Sequence, residues 1–140
     1  MIDFTWDAQT QAYHVRHKLS NGQYCQVAFY RNISGRTITY YVAFAVADKK
    51  KNLNGWFNET GDNTLTMKFT GRCGCEALLW CRDRILDFSQ WVGKDQSYTT
   101  KISVFADDGR RFHLYERGLS RYGFQKVRTF FGWAMEKIIE

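Results

Sequence analysis

The sequence predicts an α+β fold, in which an N-terminal β-meander is followed by a β-α-β-α-β succession in one mixed, mainly antiparallel sheet. The first half alternates apolar and polar residues with the period of two that indicates strands. The second half contains apolar stripes with the helical period of about 3.6 residues. The chain has 140 residues, 24 of them aromatic, and no Pro. We therefore predict one globular domain over residues 1–140, without a linker or a disordered segment.

The meander is predicted from alternating runs and the turns between them. Residues 12–19 alternate, and Asn21-Gly22 then supplies the positive φ angles that a tight hairpin needs. Between Ile38 and Val46, every second residue is β-branched or aromatic, which favours a pleated surface. These patterns predict strands over residues 12–19, 23–31, 36–47 and 63–70, with a loop over residues 52–62.

The first predicted helix covers residues 75–92, where apolar residues recur along one stripe. A strand is predicted on each side of it, over residues 63–70 and 98–106. A strand, a helix and a second strand in this order are typical of a crossover between parallel strands. We therefore expect residues 63–70 to pair in parallel with residues 98–106.

The second predicted helix begins after Asp107 or Asp108, either of which can cap it. Gly123 stands where a left-handed residue ends such a helix. Residues 124–131 are predicted as a strand, and residues 133–139 fit a strand or a short helix. The apolar stripe of this helix comprises Phe112, Tyr115, Leu119 and Tyr122.

Short motifs follow one another in order over residues 64–138. They read TLTMKF, TGRCGCEALLWCRDRILDF, ISVFADD, RRFHLYERGLSRYGF and MEKII. This succession of a strand, a turn, a helix opening with Ala-Leu-Leu, a strand and a helix with Leu-Tyr-Glu resembles the core of the GNAT superfamily of acyl-CoA-dependent N-acetyltransferases. The resemblance implies a GNAT-like fold in a divergent and trimmed form.

The resemblance also implies a cofactor and a reaction. The protein would move an acetyl group from acetyl-CoA to an amine, and Tyr115 would protonate the leaving thiolate. The pantetheine arm would lie along the strand that contains Met67 and Phe69. The turn would hold the pyrophosphate, because backbone N–H groups and the positive end of a helix dipole bind anions. Its residues are Gly71, Arg72, Cys73, Gly74 and Cys75.

The sequence departs from the family pattern at three places. When Ala77 is aligned with the family's helix, the glycines of the turn fall on Cys73 and Cys75. Tyr115 lies eight residues before Gly123, where the family has about four. A tight turn at residues 20–23 replaces the helices that normally follow the family's first strand. An alternative is therefore a binding protein on the same scaffold, without catalysis and of a kind typical of phages or mobile elements.

The charge suits a polyanionic partner, but a modest and evenly spread positive charge is also common in proteins that bind no polyanion. The net charge is +6 and the pI is about 9.2. Arg110, Arg117 and Arg121 fall on one face of the second helix and are candidates for contact with nucleic-acid phosphates, although a solvated helix face has the same pattern. The binding alternative therefore includes a protein or a nucleic-acid partner. The sequence leaves the oligomeric state open.

Metal binding and membrane insertion are not expected. Structural zinc sites usually use two C-x2–4-C pairs or one pair with spaced His, whereas Cys73, Cys75 and Cys81 form C-x-C-x5-C. His14 and His17 would lie on opposite faces of one strand and are interpreted as surface or packing residues. No run approaches the roughly 20 apolar residues of a membrane span. The beginning of the sequence has no signal-peptide pattern, so we expect a cytoplasmic protein with reduced thiols.

Overall fold

The computed structural model describes residues 4–58, 72–93, 96–105, 109–130 and 132–140. Its strands are β1 (Thr5–Asp7), β2 (Ala12–Lys18), β3 (Tyr24–Ser34), β4 (Thr37–Ala47), β5 (Thr99–Phe105), β6 (Gln125–Thr129) and β7 (Gly132–Ile139). Its α-helices are α1 (Lys50–Asn58), α2 (Arg72–Trp91) and α3 (Gly109–Leu119), and a 3₁₀ turn covers Ser120–Tyr122.

The strands form one sheet in the order β1-β2-β3-β4-β5-β7-β6. β4 and β5 are parallel, with Ile38 opposite Thr100 and Val42 opposite Val104. The pairs β1–β2, β5–β7 and β6–β7 are antiparallel, and the links from β2 to β3 and from β3 to β4 are too short for a parallel crossover. The predicted class, an α+β fold with a mixed and mainly antiparallel sheet, is confirmed.

The hairpin between β2 and β3 closes at the predicted Asn-Gly turn. The N–H of Leu19 donates to the carbonyl of Gln23 at 2.7 Å, and the N–H of Gly22 donates to the carbonyl of Leu19 at 3.0 Å. Gly22 has a φ of +91°, a conformation that residues with a side chain rarely adopt. The Oδ1 atom of Asn21 accepts the N–H of Gln23 at 2.9 Å. The sequence therefore located this turn correctly.

The chain divides into two compact units, and β3, β4 and α2 contribute to both. The first unit comprises Met1–Ala28 and Phe44–Arg84. One of its buried clusters joins the β2–β3 hairpin, β4 and α2, with Phe44 and Trp80 packed against it. The ring of His17 stacks on Trp80 at 5.4 Å. The buried members of the cluster are Leu19, Cys25, Val46 and Ala77.

The second unit comprises Phe29–Ala43 and Ile85–Glu140. Phe88 of α2 is fully buried and stacks on Phe29 of β3, with a distance of 3.9 Å between ring centroids. Tyr40 of β4 meets the same ring edge-on at 5.0 Å. The predicted stripe of α3 is buried at Phe112, Tyr115 and Leu119. Aromatic packing between α2 and the sheet thus forms much of this core.

Three predictions about local structure need correction. Residues 52–58 of the predicted loop lie in α1 rather than in a loop, because Leu53 and Phe57, one helical turn apart, are both buried. The parallel neighbour of β5 is β4; residues 63–70, for which this pairing was predicted, lie outside the described residues. Tyr122 is 47% exposed, because α3 ends at Leu119 and the following 3₁₀ turn breaks the helical stripe.

The end of the second helix and the closing hairpin were predicted well. Gly123 has a φ of +90° directly after the 3₁₀ turn, which is the left-handed conformation expected there. Residues 125–129 form β6 within the predicted strand. The open choice for residues 133–139 is decided in favour of a strand, because β7 pairs with both β5 and β6. Strand β1, which the sequence did not indicate, pairs with β2.

Candidate functional site

The predicted cofactor turn is described only from Arg72 onward. Met67, Phe69 and Gly71 lie outside the described residues. The backbone of Arg72, Cys73, Gly74 and Cys75 forms the first turn of α2, three residues before the predicted start of this helix. The first turn of a helix has backbone N–H groups without an intrahelical acceptor, and such groups bind anions.

A carboxylate follows directly after this turn. Glu76 accepts two hydrogen bonds from Ser20 in the β2–β3 turn, one from the backbone N–H at 2.9 Å and one from the hydroxyl at 2.5 Å. These two hydrogen bonds hold the pKa of Glu76 below its ordinary value. The bond from the hydroxyl has the larger effect, and the bond from the N–H has the smaller one. The hairpin is therefore attached to the beginning of α2 through an ionised side chain.

Tyr115, the predicted proton donor, lies in α3 and is only 6% exposed. It shares the buried stripe with Phe112, which is 7% exposed, and with the fully buried Leu119. The ring of Tyr115 therefore packs in the core of the second unit. A role of the hydroxyl in catalysis remains a prediction.

The predicted arginine face is divided between two elements. Arg117 is exposed on α3, and Arg121 is exposed on the 3₁₀ turn that follows. The prediction that both side chains share one helix face assumed α-helical spacing as far as Arg121. Because Arg121 lies beyond the end of α3, that spacing does not apply to it. The side chain of Arg110 lies outside the described part of the structure.

The first unit contains an open pocket beside β1 and β2. Its volume is about 590 Å³, and residues 5–8 line it together with His14, Arg16 and Gln26. Trp6 lies between two lining residues of β1, and its indole packs on Tyr13 at 4.8 Å, on the face of the sheet opposite His14. The side chains of Thr5, Asp7, His14, Arg16 and Gln26 thus give this pocket a polar lining.

The polar side chains of this pocket form a continuous hydrogen-bond relay. Nε of Arg16 donates to Oε1 of Gln26 at 2.8 Å, and Nη2 of Arg16 donates to Oδ1 of Asn54 in α1 at 2.5 Å. The amide nitrogen of Gln26 lies 3.0 Å from Nδ1 of His14. The other ring nitrogen of His14 lies 2.9 Å from the hydroxyl of Thr10. Each member is therefore held by its neighbours.

Burial governs the charge of His14, and the relay determines which ring nitrogen has the proton. Burial lowers the pKa of the imidazole, while the carboxylate of Asp7 opposes this effect and the guanidinium of Arg16 adds to it. Because Gln26 donates to Nδ1, the proton of the neutral ring is on Nε2. His14 is thus a neutral imidazole that donates to Thr10.

Sequence reasoning missed this pocket, because it interpreted His14 as a surface or packing residue. The sequence nevertheless contained one sign of this polar cluster. A hairpin that closes at Leu19 and Gln23 places Arg16 directly opposite Gln26, so that a cation and an amide face each other across neighbouring strands. The contribution of Asn54 could not be found in this way, because residues 52–62 were expected to form a loop.

The β6–β7 hairpin presents a basic and aromatic surface in the second unit. Nζ of Lys126 lies 4.7 Å and the guanidinium of Arg128 lies 5.2 Å from the ring centroid of Trp133. Trp133 is 45% exposed, and Phe130 beside it is 96% exposed. Lys126 also approaches Glu116 of α3 at 3.9 Å. We call Lys126, Arg128, Phe130 and Trp133 the hairpin patch.

The described residues contain no cluster of metal ligands and no membrane-spanning helix. No three His, Cys, Asp or Glu side chains in this part of the chain come together as ligands of a metal ion. None of its helices combines the length and the apolar character that crossing a membrane requires. Comparisons with known proteins give no relatives: no protein family, curated protein or solved structure matches this chain.

Proposed function

We propose that this chain is an acyl-CoA-dependent N-acyltransferase of GNAT-like fold, which transfers an acetyl group from acetyl-CoA to an amine. The observation that supports the proposal is the parallel pair β4–β5 within an otherwise antiparallel sheet, with α2 between these strands in the chain. β4 precedes the motifs over residues 64–138; within that range, the order α2, β5, α3 and the antiparallel strands β6 and β7 agrees with their succession.

The proposal assigns separate roles to two parts of the chain. Residues 71–75 would bind the pyrophosphate of CoA through backbone N–H groups, because they include the first turn of α2. Met67 and Phe69 would lie along the pantetheine arm. The hydroxyl of Tyr115 would give its proton to the CoA thiolate as the acetyl group leaves for the amine.

Titration calorimetry with CoA and with acetyl-CoA tests the binding step. We expect Gly74→Val to weaken binding at least about tenfold, because a branched side chain obstructs the approach to the backbone. Cys73→Ala is the matched control in the same turn and should leave the affinity unchanged. Absence of binding heat in the wild type at about 1 mM ligand would reject the proposal, since cofactors of enzymes bind more tightly than this.

Turnover with a panel of amines tests the role of Tyr115. Tyr115→Phe keeps the buried ring and removes the hydroxyl, so the melting temperature should change little. If the hydroxyl protonates the thiolate, the rate should fall by about 10²–10⁴-fold. An unchanged rate in an active preparation would leave Tyr115 as a core residue only.

A second candidate is a catalytically inactive protein that binds single-stranded nucleic acid, and the hairpin patch favours it. Bases stack on exposed aromatic rings, and nearby cations neutralise the phosphates between them. In the patch, two cations and two exposed aromatic side chains belong to one short hairpin. This arrangement suits a single strand better than a duplex, in which the bases are already stacked.

Fluorescence anisotropy with a labelled oligothymidylate of about 20 nucleotides tests this candidate. Trp133→Ala should weaken binding about tenfold, because one stacking surface is lost. Tyr122→Ala removes another exposed aromatic residue, outside the patch, and should have no effect. Equal losses in both variants, or binding that does not weaken between about 50 and 200 mM salt, would reject the candidate.

A further inference from the structure

Arg16 in the pocket of the first unit is a cation held in place by neutral partners. Its Nε and Nη2 atoms donate to the amide oxygens of Gln26 and Asn54. Within the described residues, no carboxylate forms an ion pair with its guanidinium. The two N–H groups on Nη1 take part in neither of these hydrogen bonds. The relay thus orients the fork of Arg16 through neutral partners, and none of the described carboxylates forms an ion pair with it.

This arrangement is stabilised from several sides. Gln26 is 5% exposed, and its amide has only one orientation that serves both neighbours. Because Nε of Arg16 can only donate, Oε1 must face Arg16 and Nε2 must face His14. Burial also lowers the pKa of Arg16. Arg16 is nevertheless exposed, and a guanidinium held in a fixed orientation binds an anion with little further loss of conformational freedom.

We propose that the pocket formed by residues 5–8, His14, Arg16 and Gln26 binds a small molecule that carries a carboxylate or a phosphate group. The oxyanion accepts from Nη1 of Arg16, because Arg presents paired N–H donors that match the oxygens of carboxylate and phosphate groups. The site is separate from both proposed functions and depends on neither of them.

One residue of the pocket opposes this ligand and therefore provides a sharp test. The carboxylate of Asp7 lines the pocket and accepts the N–H of Gln9 at 2.9 Å. It repels a bound oxyanion, so Asp7→Asn should increase the affinity. Arg16→Gln should decrease it, because the charge and the fork are both lost. A pocket that binds its ligands by apolar contact alone would respond to neither change.

The experiment is an amide-resolved NMR titration with three probes: benzoate, phenyl phosphate and the neutral benzyl alcohol. We expect benzoate, phenyl phosphate or both to shift the amides of residues 5–8, 14–16 and 26 in a saturable way. The preferred anion shows whether the natural ligand is a carboxylate or a phosphate. Benzyl alcohol, which has the ring without the charge, should bind at least about tenfold more weakly.

The variants separate specific binding from attraction to a basic protein. Arg16→Gln should weaken binding of the anions at least about tenfold, and Asp7→Asn should strengthen it several-fold. Arg117→Gln removes an exposed cation outside the pocket and should have no effect. Amide dispersion beyond the pocket shows that each variant is folded. The proposal is wrong if neither anion shifts the pocket amides at about 20 mM, or if Arg16→Gln and Arg117→Gln have equal effects.

Discussion

Gln26 donates a hydrogen bond from its side-chain amide to Nδ1 of His14 at 3.0 Å, while its Oε1 atom accepts from Nε of Arg16 at 2.8 Å. The contact with Arg16 determines the orientation of the Gln26 amide, because the Nε of arginine is a donor only and must face the amide oxygen. The amide nitrogen then faces His14. One amide on β3 thus specifies both the tautomer of a histidine and the orientation of an arginine on β2. Gln26 therefore links the hydrogen-bonding roles of His14 and Arg16.

The first prediction concerns the tautomer and the titration of His14. Nitrogen-15 NMR of the imidazole should show the proton on Nε2 and a pKa below 6.5, because burial disfavours the charged ring. Replacing the donor by a carboxylate in Gln26→Glu should raise this pKa, since an anion beside the ring stabilises its protonated form. A proton on Nδ1 in the wild type would contradict the relay.

The second prediction is the effect of His14 on stability at mildly acidic pH. The pKa of His14 is lower in the folded chain than the unfolded value of 6.5, so the unfolded state binds more protons between the two values. The free energy of unfolding should therefore decrease as the pH falls from about 7 through this window, and this part of the decrease should end below the folded pKa. Urea titrations of the wild type and of His14→Gln measure it, because the variant lacks the titrating group. Equal slopes in the two proteins would refute the assignment.

The third prediction concerns the ionised contact between Glu76 and Ser20. Hydrogen bonds from Ser20 lower the pKa of Glu76, so the contact stabilises the fold above the unfolded pKa of 4.5 and is lost as the pH falls through the folded value. Glu76→Gln should lower the melting temperature at pH 7, and the difference from the wild type should disappear in acid. Glu140→Gln, at an exposed position, is the control. A difference that persists at pH 2 would show that charge is not the cause.

The fourth prediction concerns the buried thiols. Burial, and to a lesser extent the nearby carboxylate of Glu76, raise the pKa of Cys25 to about 12. Cys25 and Cys81 are both fully buried, so neither should react with a thiol reagent in the native protein. A double variant, Cys73→Ser with Cys75→Ser, removes two of the four thiols of the chain, so that only Cys25 and Cys81 remain. We expect its two thiols to react only after unfolding; rapid reaction in the native state would exclude this packing.

The fifth prediction concerns the aromatic core of the second unit. Phe88 is fully buried against Phe29 and Tyr40, so Phe88→Ala should lower the free energy of unfolding by about 3–5 kcal/mol. Leu79→Ala lies on the same helix at a position that is 49% exposed and should cost about 0.5 kcal/mol or less. Urea denaturation distinguishes the two values. A loss below about 1 kcal/mol in Phe88→Ala would contradict the observed stacking.

The sequence predicted those strands and turns that depend on the residue pattern of a short segment. Alternation gave β2, β3 and β4, and the Asn-Gly turn and Gly123 were placed correctly because both depend on backbone conformations that favour glycine. Helix α1 was missed because its segment contains Asn and Gly, which suggest a loop. The burial of Leu53 and Phe57 outweighs that local preference.

The sequence by itself determined the fold class, most strands, the helices α2 and α3 and the turns, because periodicity and glycine placement are local properties of the chain. Only the tertiary structure decided that β4 is the parallel neighbour of β5, because strand pairing depends on competition between distant segments. It alone also brought Asn54 of α1 to Arg16, 38 residues away in the chain. Contacts over such separations depend on how the elements pack against one another. The pocket with its oriented arginine is therefore a product of packing, to which the sequence contributed one visible sign, the pairing of Arg16 with Gln26.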